Sequence, residues 1–144
     1  MNPAYDLERF VTAQDALWPA VQRELAAGAK RSHWMWFVFP QIAGLGHSAT
    51  SRHYALASLT EAQAYLADPL LGARLRECTD LVLAVQGRSA HAIFGSPDDM
   101  KFRSSMTLFA QAAPGERRFA EAIERFFAGV PDAATLRLLA GGAA

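Results

Sequence analysis

Apolar residues recur at every third or fourth position along most of the chain. One such stripe, between Asp68 and Gly87, consists of Leu71, Leu75, Cys78, Leu81, Val82 and Val85. A later stripe consists of Phe119, Ala122, Ile123, Phe126 and Phe127. This spacing places the apolar side chains on one face of a helix, so both stretches are predicted to form amphipathic helices.

Capping residues and helix breakers indicate where helices begin and end. Asp68-Pro69 and Ser96-Pro97 each combine an N-cap residue with a proline at the first helical position. Gly87 ends the helix that Asp68 begins. Trp18-Pro19 is predicted to begin another helix, so residues 5–28 are expected to form two helices rather than one.

No pair of strand-like runs joined by a turn is found in the sequence. We therefore predict an all-α fold of roughly eight short to medium helices around one core. Residues 1–144 are expected to form a single compact domain, in which residues 141–144 are a disordered tail.

The segment from Lys30 to Ser48 shows neither a helical nor a strand period. Its sequence, KRSHWMWFVFPQIAGLGHS, contains two of the three tryptophans, Trp34 and Trp36. Residues 33–39 fit a buried helix or a buried strand, because a continuous apolar run does not distinguish the two. On a strand the two indoles share one side, whereas on a helix they lie about 200° apart and cannot face one pocket.

Composition narrows the classes of function. The chain has 144 residues, 51% hydrophobic and 19% charged, with a net charge of zero, which argues against nucleic acid as the main partner. A single cysteine, Cys78, excludes an intramolecular disulfide and fits a cytoplasmic location. No signal peptide or membrane-spanning run is present, so no membrane partner is expected. We predict neither a metal nor a cofactor, and a monomer or small homo-oligomer.

Aromatic and polar side chains in the first half of the segment suggest a ligand pocket. Trp34 or Trp36 can stack on a flat ring, while His33 and Gln41 can form hydrogen bonds with the edge of that ring. His33 can also act as a general acid or base. The alternative is that the segment serves packing and that at least one tryptophan belongs to the core.

Cations near a glycine-containing loop suggest that the same pocket holds an anion. Ser48 is predicted to cap a short helix that carries Arg52 and Tyr54, and Lys30 lies upstream. Helix N-termini preceded by glycines can bind anions, although this sequence matches no established phosphate-binding motif. The alternative is a capped helix with solvated surface cations.

A second polar cluster, SPDDMKFRSSMT, lies at the start of a later helix. Lys101, Arg103 and Ser104 are candidate ligand-binding residues on this helix. Asp98 and Asp99 are explained by capping as well as by acid-base chemistry, because helix N-termini favour carboxylates.

The chain resembles an uncharacterised bacterial family, domain of unknown function 1810, whose members sometimes carry a misleading calpastatin label. The resemblance extends over most of the sequence. The matching residues are Phe10, Ala13-Gln14, the run SHWMWFVFPQ, Gly44, Gly46, Ser48, Tyr54, Glu61-Ala62, Tyr65-Leu66, Leu71-Gly72, Arg74-Leu75, Ile93-Phe94-Gly95, Asp98 to Lys101 and Ser104 to Phe109. The resemblance implies a compact, mostly helical protein and no established activity.

A shorter stretch is similar to a motif of the NADAR superfamily, which acts on ADP-ribose-type N-glycosides. That motif, Glu-x-aromatic-x-x-Ala-Gln, corresponds to residues 8–14, and Phe94-Gly95 stands where the superfamily has Trp-Gly. The similarity implies that Glu8 is a catalytic acid at an N-glycosidic carbon.

Together these features predict a small domain that binds, and if enzymatic hydrolyses, a nucleotide- or ADP-ribose-like ligand. The expected cleft lies between the His33–Gln41 segment and the Lys101–Ser105 helix. The alternative is a non-enzymatic interaction module that uses the aromatic segment to bind a partner.

Overall fold

The computed structural model describes residues 5–142, with side chains up to residue 141. This part of the chain forms α1 (Glu8–Ala26), α2 (Met35–Val38), α3 (Ala49–Tyr54), α4 (Leu59–Ala67), α5 (Pro69–Ala84), α6 (Ala90–Phe94), α7 (Asp98–Ala112), α8 (Arg117–Phe127) and α9 (Ala133–Gly142). An isolated parallel β-bridge joins Ile42 to Leu56. The predicted all-α fold is confirmed for the described residues.

Helix α1 is one helix, and the prediction of two helices around Pro19 is wrong. A proline inside a helix removes a backbone hydrogen bond and usually kinks or ends the helix. Here the buried stripe continues across Pro19, from Phe10 to Leu25, both of which have no exposed surface. Core packing along this stripe therefore outweighs the local break signal.

The junction between α4 and α5 forms as its sequence predicts. The Asp68 carboxylate accepts hydrogen bonds from the backbone N–H groups of Leu70 and Leu71, at 3.0 and 2.9 Å, so it caps α5. Gly72 is required one turn later, because a Cβ atom there would lie 2.2 Å from the carbonyl oxygen of Leu66. The two helices consequently meet at a tight corner.

Helix α7 lies at the centre of the molecule, packed against α4, α6, α8 and α9. Its Phe102 ring contacts Phe39 and Phe94, with ring centroids 5.0 and 4.8 Å apart, respectively. The aromatic segment that contains Phe39 is thereby joined to the core. This contact brings the segment next to the polar first turns of α7.

The described part of the chain ends within the last helix, α9. Residues 141 and 142, predicted to lie in a disordered tail, are the last residues of α9. Residues 1–4 and 143–144 lie outside the described part of the chain. Between residues 5 and 142, no helix is long and apolar enough to cross a membrane.

Candidate functional site

The two tryptophans of the aromatic segment face different surroundings. Trp34 precedes the short helix α2 and has no exposed surface, while Trp36, within α2, is partly exposed. The segment is thus helical at this point, and the two indoles do not share a face. The expectation that Trp34 binds a ligand is corrected, because its ring is sealed in the core.

A buried carboxylate on α1 holds the start of this segment. Glu24 accepts hydrogen bonds from Arg31 N–H (2.7 Å), Ser32 N–H (2.9 Å), the Ser32 hydroxyl (2.6 Å) and Trp34 Nε1–H (2.9 Å). Burial raises the pKa of Glu24, but these hydrogen bonds stabilise the carboxylate more strongly and lower its pKa to about 2. Glu24 therefore orients Trp34 inward, and Trp36 two residues later points away from it.

Trp36 lines two adjoining cavities, which together we call the Trp36 cleft. The first cavity has a volume of about 100 Å³ and the second about 250 Å³. The residues common to both are Trp36, Gln41, Leu45 and Gly46. The first cavity is completed by Arg52 and Tyr54, and the second by Lys101, Ser104 and Asp132, among other residues.

Gly46 allows the loop after α2 to form the floor between the two cavities. A Cβ atom at this position would lie 2.7 Å from both Cβ and Oγ of Ser51 and 3.9 Å from Cη2 of Trp36. Ser51 is held in place because its own N–H donates to Oγ of the N-cap residue Ser48 at 3.1 Å. A side chain at position 46 would therefore push the loop away from α3 and towards Trp36.

Lys101 covers the indole of Trp36 from α7. Its ammonium lies 3.9 Å from the Trp36 ring centroid, and 3.1 Å from Oδ1 of Asp98. The other oxygen of Asp98 accepts from Lys30 Nζ at 2.8 Å. Burial raises the pKa of Asp98, but the hydrogen bonds and charges of the two lysines outweigh burial and lower its pKa below the usual range.

Several predicted ligand-binding residues do line the Trp36 cleft. Trp36, Gln41 and Lys101 come from the two segments that the sequence analysis expects to face each other. Arg52 and Tyr54 line the first cavity, and Ser104 lines the second. Whether these residues bind a ligand stays a prediction.

Three further ligand-binding candidates lie elsewhere. Lys30 has 7% side-chain exposure and lies next to buried Trp34, 5.1 Å from its ring centroid, rather than in the cleft. Arg103 donates to the carbonyl of Val130 at 2.8 Å, and its guanidinium lies over Phe127. Ser48 is exposed and is not among the residues that line the cleft, and its hydroxyl caps α3.

The two predicted catalytic residues do not line the Trp36 cleft either. Glu8 is exposed in the first turn of α1, and His33 is exposed just before Trp34. Their side chains are not among those that form the two cavities. The geometry therefore does not place Glu8 or His33 at the Trp36 cleft.

Sequence analysis missed two carboxylates of the site. The sequence explains Asp98 by helix capping as well as by acid-base chemistry, whereas in the structure it is the shared ion-pair partner of both lysines. Asp132, which the sequence analysis does not single out, caps α9 through two hydrogen bonds that Oδ2 accepts from Thr135, and its side chain lines the second cavity as well. The contact of Asp98 with Lys30 and the position of Asp132 in the second cavity have no local sequence signal, because each depends on segments that are distant in the chain.

A larger cavity of about 620 Å³ lies between the start of α4 and α9. Leu59, Leu138 and Leu139 are among its lining residues, and among the described residues that line it Arg137 is the one with a charged side chain. None of these described residues is aromatic, so they offer no stacking surface like that of the Trp36 cleft. Among the described residues, no group of three or more His, Cys, Asp or Glu side chains is placed to hold a metal ion.

Comparison with known proteins identifies the family of this chain. Residues 4–139 match a family model described as "Protein of unknown function (DUF1810)". The conserved hypothetical protein Rv1873 from Mycobacterium tuberculosis, known from a crystal structure, is 53% identical; the match covers 95% of this chain and 98% of that one, with a TM-score of 0.94. No curated protein matches the chain significantly. These matches do not show a relation to the NADAR superfamily, which stays a prediction. Because the family model covers nearly the whole sequence, the chain belongs to the DUF1810 family.

Proposed function

We propose that this protein binds a nucleotide-like small molecule in the Trp36 cleft. The observation that carries the proposal is the position of the Trp36 indole, which is partly exposed and shared by two adjoining cavities. Small-molecule sites are typically concave, with an apolar or aromatic wall and a few polar groups that converge on it. The cleft has this composition, since Gln41, Ser104 and Lys101 surround the indole.

The size of the cleft limits the ligand. Cavities of about 100 and 250 Å³ place the cleft near the lower end of the range for small-molecule sites, roughly 300–1,000 Å³. A mononucleotide fits this scale better than a dinucleotide. An ADP-ribose-like ligand would extend beyond the cleft into solvent.

The charges of the cleft favour a ligand that carries an anion. Among the described residues that line the first cavity, Arg52 is the one whose side chain is charged at neutral pH, and Lys101 contributes a cation to the second cavity. A guanidinium is well suited to bidentate contact with phosphate. We propose that the ring of the ligand packs against Trp36 while its anionic group pairs with a cation of the cleft.

The proposal is restricted to binding. Glu8 and His33, the predicted catalytic residues, are exposed and do not line the cleft. Asp132 is the carboxylate that does line it, and its Oδ2 accepts two hydrogen bonds from Thr135 at 2.9 and 2.6 Å. A general acid or base must lie within hydrogen-bond reach of the reacting group, and neither Glu8 nor His33 lines the cleft, so we do not extend the proposal to hydrolysis.

We also propose a cytoplasmic location for this binding. Cys78, the one cysteine, is buried and unpaired. A compartment in which thiols stay reduced is compatible with a chain that has no disulfide.

The first test is ligand-induced thermal stabilisation with AMP, ADP-ribose and inorganic phosphate. A ligand at about 100 times its dissociation constant adds roughly 2.7 kcal/mol, which raises the melting temperature by several degrees in a domain of this size. We expect AMP to give such a shift, and Trp36→Ala to remove it. Trp36→Phe, which keeps an aromatic face, should retain part of the shift.

Trp18→Ala is a matched control for the tryptophan variant. Trp18 is also partly exposed and also has a cation over its ring, the Arg74 guanidinium at 4.7 Å, but it does not line the Trp36 cleft. This variant should keep the AMP shift. The proposal is wrong if the wild type shows no shift with any of the three compounds, or if Trp36→Ala and Trp18→Ala lose the AMP shift equally.

A further inference from the structure

The two lysines of the chain share one carboxylate, that of Asp98, beside the Trp36 cleft. Lys30 and Lys101 contact different oxygens of Asp98, at 2.8 and 3.1 Å. A single carboxylate is neutralised by one ammonium, so the three side chains carry one surplus positive charge. Their side chains are largely buried, with exposures of 7% for Lys30 and 19% for Asp98 and Lys101.

The two lysines are not equivalent in their surroundings. Lys30 also donates to the carbonyl of Ser32 at 2.7 Å and lies next to buried Trp34, so it is held on the core side. Lys101 lines the cavity and has Asp98 as its ion-pair partner. If Lys101 leaves Asp98, the carboxylate keeps a cation, and the large cost of a buried unpaired charge does not arise.

The size of the cavities decides where a ring can be placed. A cavity of about 150 Å³ is known to hold benzene. The first cavity, at about 100 Å³, is too small for such a ring, whereas the second, at about 250 Å³, is large enough. The second cavity is also the one that Lys101 lines, and its ammonium lies over the indole of Trp36. A ring that stacks there must displace this ammonium.

We propose that Lys101 is the specificity-determining residue of the cleft. It leaves the Trp36 ring and Asp98 when a ligand enters, and its ammonium then pairs with an anionic group of that ligand. The ligand class is therefore a planar ring with a phosphate or carboxylate close to it, and the same ring without an anion binds more weakly. This inference rests on the proposed function and adds the residue that selects the charge of the ligand.

Asp132 restricts the position of the anion. Besides Lys101, it is the charged side chain among the described residues of the second cavity, and its carboxylate would repel a phosphate. Because Oδ2 of Asp132 is engaged by Thr135, this side chain stays at the start of α9. The anion therefore lies on the α7 side of the cavity, where Lys101 can reach it.

The test compares AMP with adenosine, which share a ring and differ in the phosphate. Dissociation constants are measured by isothermal titration calorimetry for the wild type, Lys101→Met and Lys101→Arg. Met retains the apolar stem over Trp36 without the charge, and Arg retains the charge. We expect Lys101→Met to weaken AMP about tenfold, the typical effect of losing a charged hydrogen bond, and to leave adenosine within about twofold. Lys101→Arg should keep most of the preference for AMP.

Arg103→Met is the matched control on the same helix. It removes a cation two residues away that does not line the cavity, so neither affinity should change. Circular dichroism and thermal unfolding establish that each variant is folded. A second measurement follows the Cε resonances of ¹³C-lysine in NMR spectra, where AMP should move the Lys101 signal more than that of Lys30.

The outcomes separate this inference from the proposed function. If the wild type binds AMP but Lys101→Met weakens AMP and adenosine by the same factor, or weakens neither, Lys101 does not select the anion and the inference is wrong. An unmoved Lys101 resonance in the presence of bound AMP also overturns it. If the wild type binds neither compound, the proposed function itself fails, and this inference fails with it.

Discussion

Glu24→Gln tests whether a buried carboxylate holds the aromatic segment in place. Glu24 is 6% exposed and accepts four hydrogen bonds from residues 31, 32 and 34. Glutamine has nearly the same shape but carries no charge, and its NH₂ group cannot accept a hydrogen bond. At neutral pH we expect the free energy of unfolding of the variant to be about 3 kcal/mol lower than that of the wild type. The reason is that the variant loses charged hydrogen bonds, whose strength is reflected in the lowered pKa of Glu24.

The magnitude follows from the pKa of Glu24 in the folded and unfolded states. The pKa falls from an ordinary value of 4.5 to about 2 on folding. Each pH unit between the two values corresponds to about 1.4 kcal/mol, so the ionised carboxylate stabilises the fold by about 3 kcal/mol. Because the folded-state pKa is the lower one, this contribution is complete above about pH 4.5 and is lost as the pH falls towards 2.

The assay is urea denaturation between pH 7 and pH 2.5, followed by tryptophan fluorescence. The difference in unfolding free energy between wild type and Glu24→Gln should be constant above about pH 5 and shrink by roughly 2 to 3 kcal/mol between pH 4.5 and 2.5. Glu124→Gln is the control, because Glu124 is exposed on α8 and should follow the wild type at every pH. A difference between wild type and Glu24→Gln that does not change with pH would refute the reasoning.

Three other predictions concern the buried residues Gly72, Trp34 and Cys78. Gly72→Ala should lower the free energy of unfolding by about 1–3 kcal/mol in urea denaturation, because its Cβ atom would lie 2.2 Å from the Leu66 carbonyl oxygen. Gly115→Ala is the control, and it should differ little from the wild type because the space around its Cβ atom is open. Trp34→Ala should cost about 3–5 kcal/mol in the same assay, because the indole is completely buried, and a loss below about 1 kcal/mol would contradict that burial. Burial raises the pKa of the Cys78 thiol, so at pH 8 iodoacetamide should modify Cys78 in urea but not in the native protein, as mass spectrometry would show; rapid modification of the native protein would contradict its burial.

Local sequence signals predicted a helix end correctly where that end depends only on neighbouring residues. Asp68-Pro69 predicted the start of α5, and the observed cap uses the Asp68 side chain as expected. The same kind of signal failed at Pro19, where α1 continues without a break. The difference is that the residues after Pro19 bury the same face as those before it, and long-range packing of this kind has no local signal.

The candidate site likewise has features that the sequence predicted and features that only long-range packing decided. The sequence alone placed His33 to Gln41 and Lys101 to Ser105 opposite each other, and Trp36 and Lys101 do lie together in the structure. It could not determine which tryptophan faces the cavity, because that depends on Glu24, which lies in another helix and binds the Trp34 indole.

By itself, the sequence determined the helical class of this protein and the start of α5, because these depend on residue spacing and capping within a few turns. It also determined the family, because the matching residues extend over nearly the whole chain. Only the tertiary structure decided that Trp34 is core, that Trp36 lines a cleft and that Asp98 joins the two lysines. Lys30 lies far from Asp98 in the sequence and meets it only when α7 packs beside the aromatic segment. Contacts between distant segments form through burial of the whole core, and no short stretch of sequence encodes them.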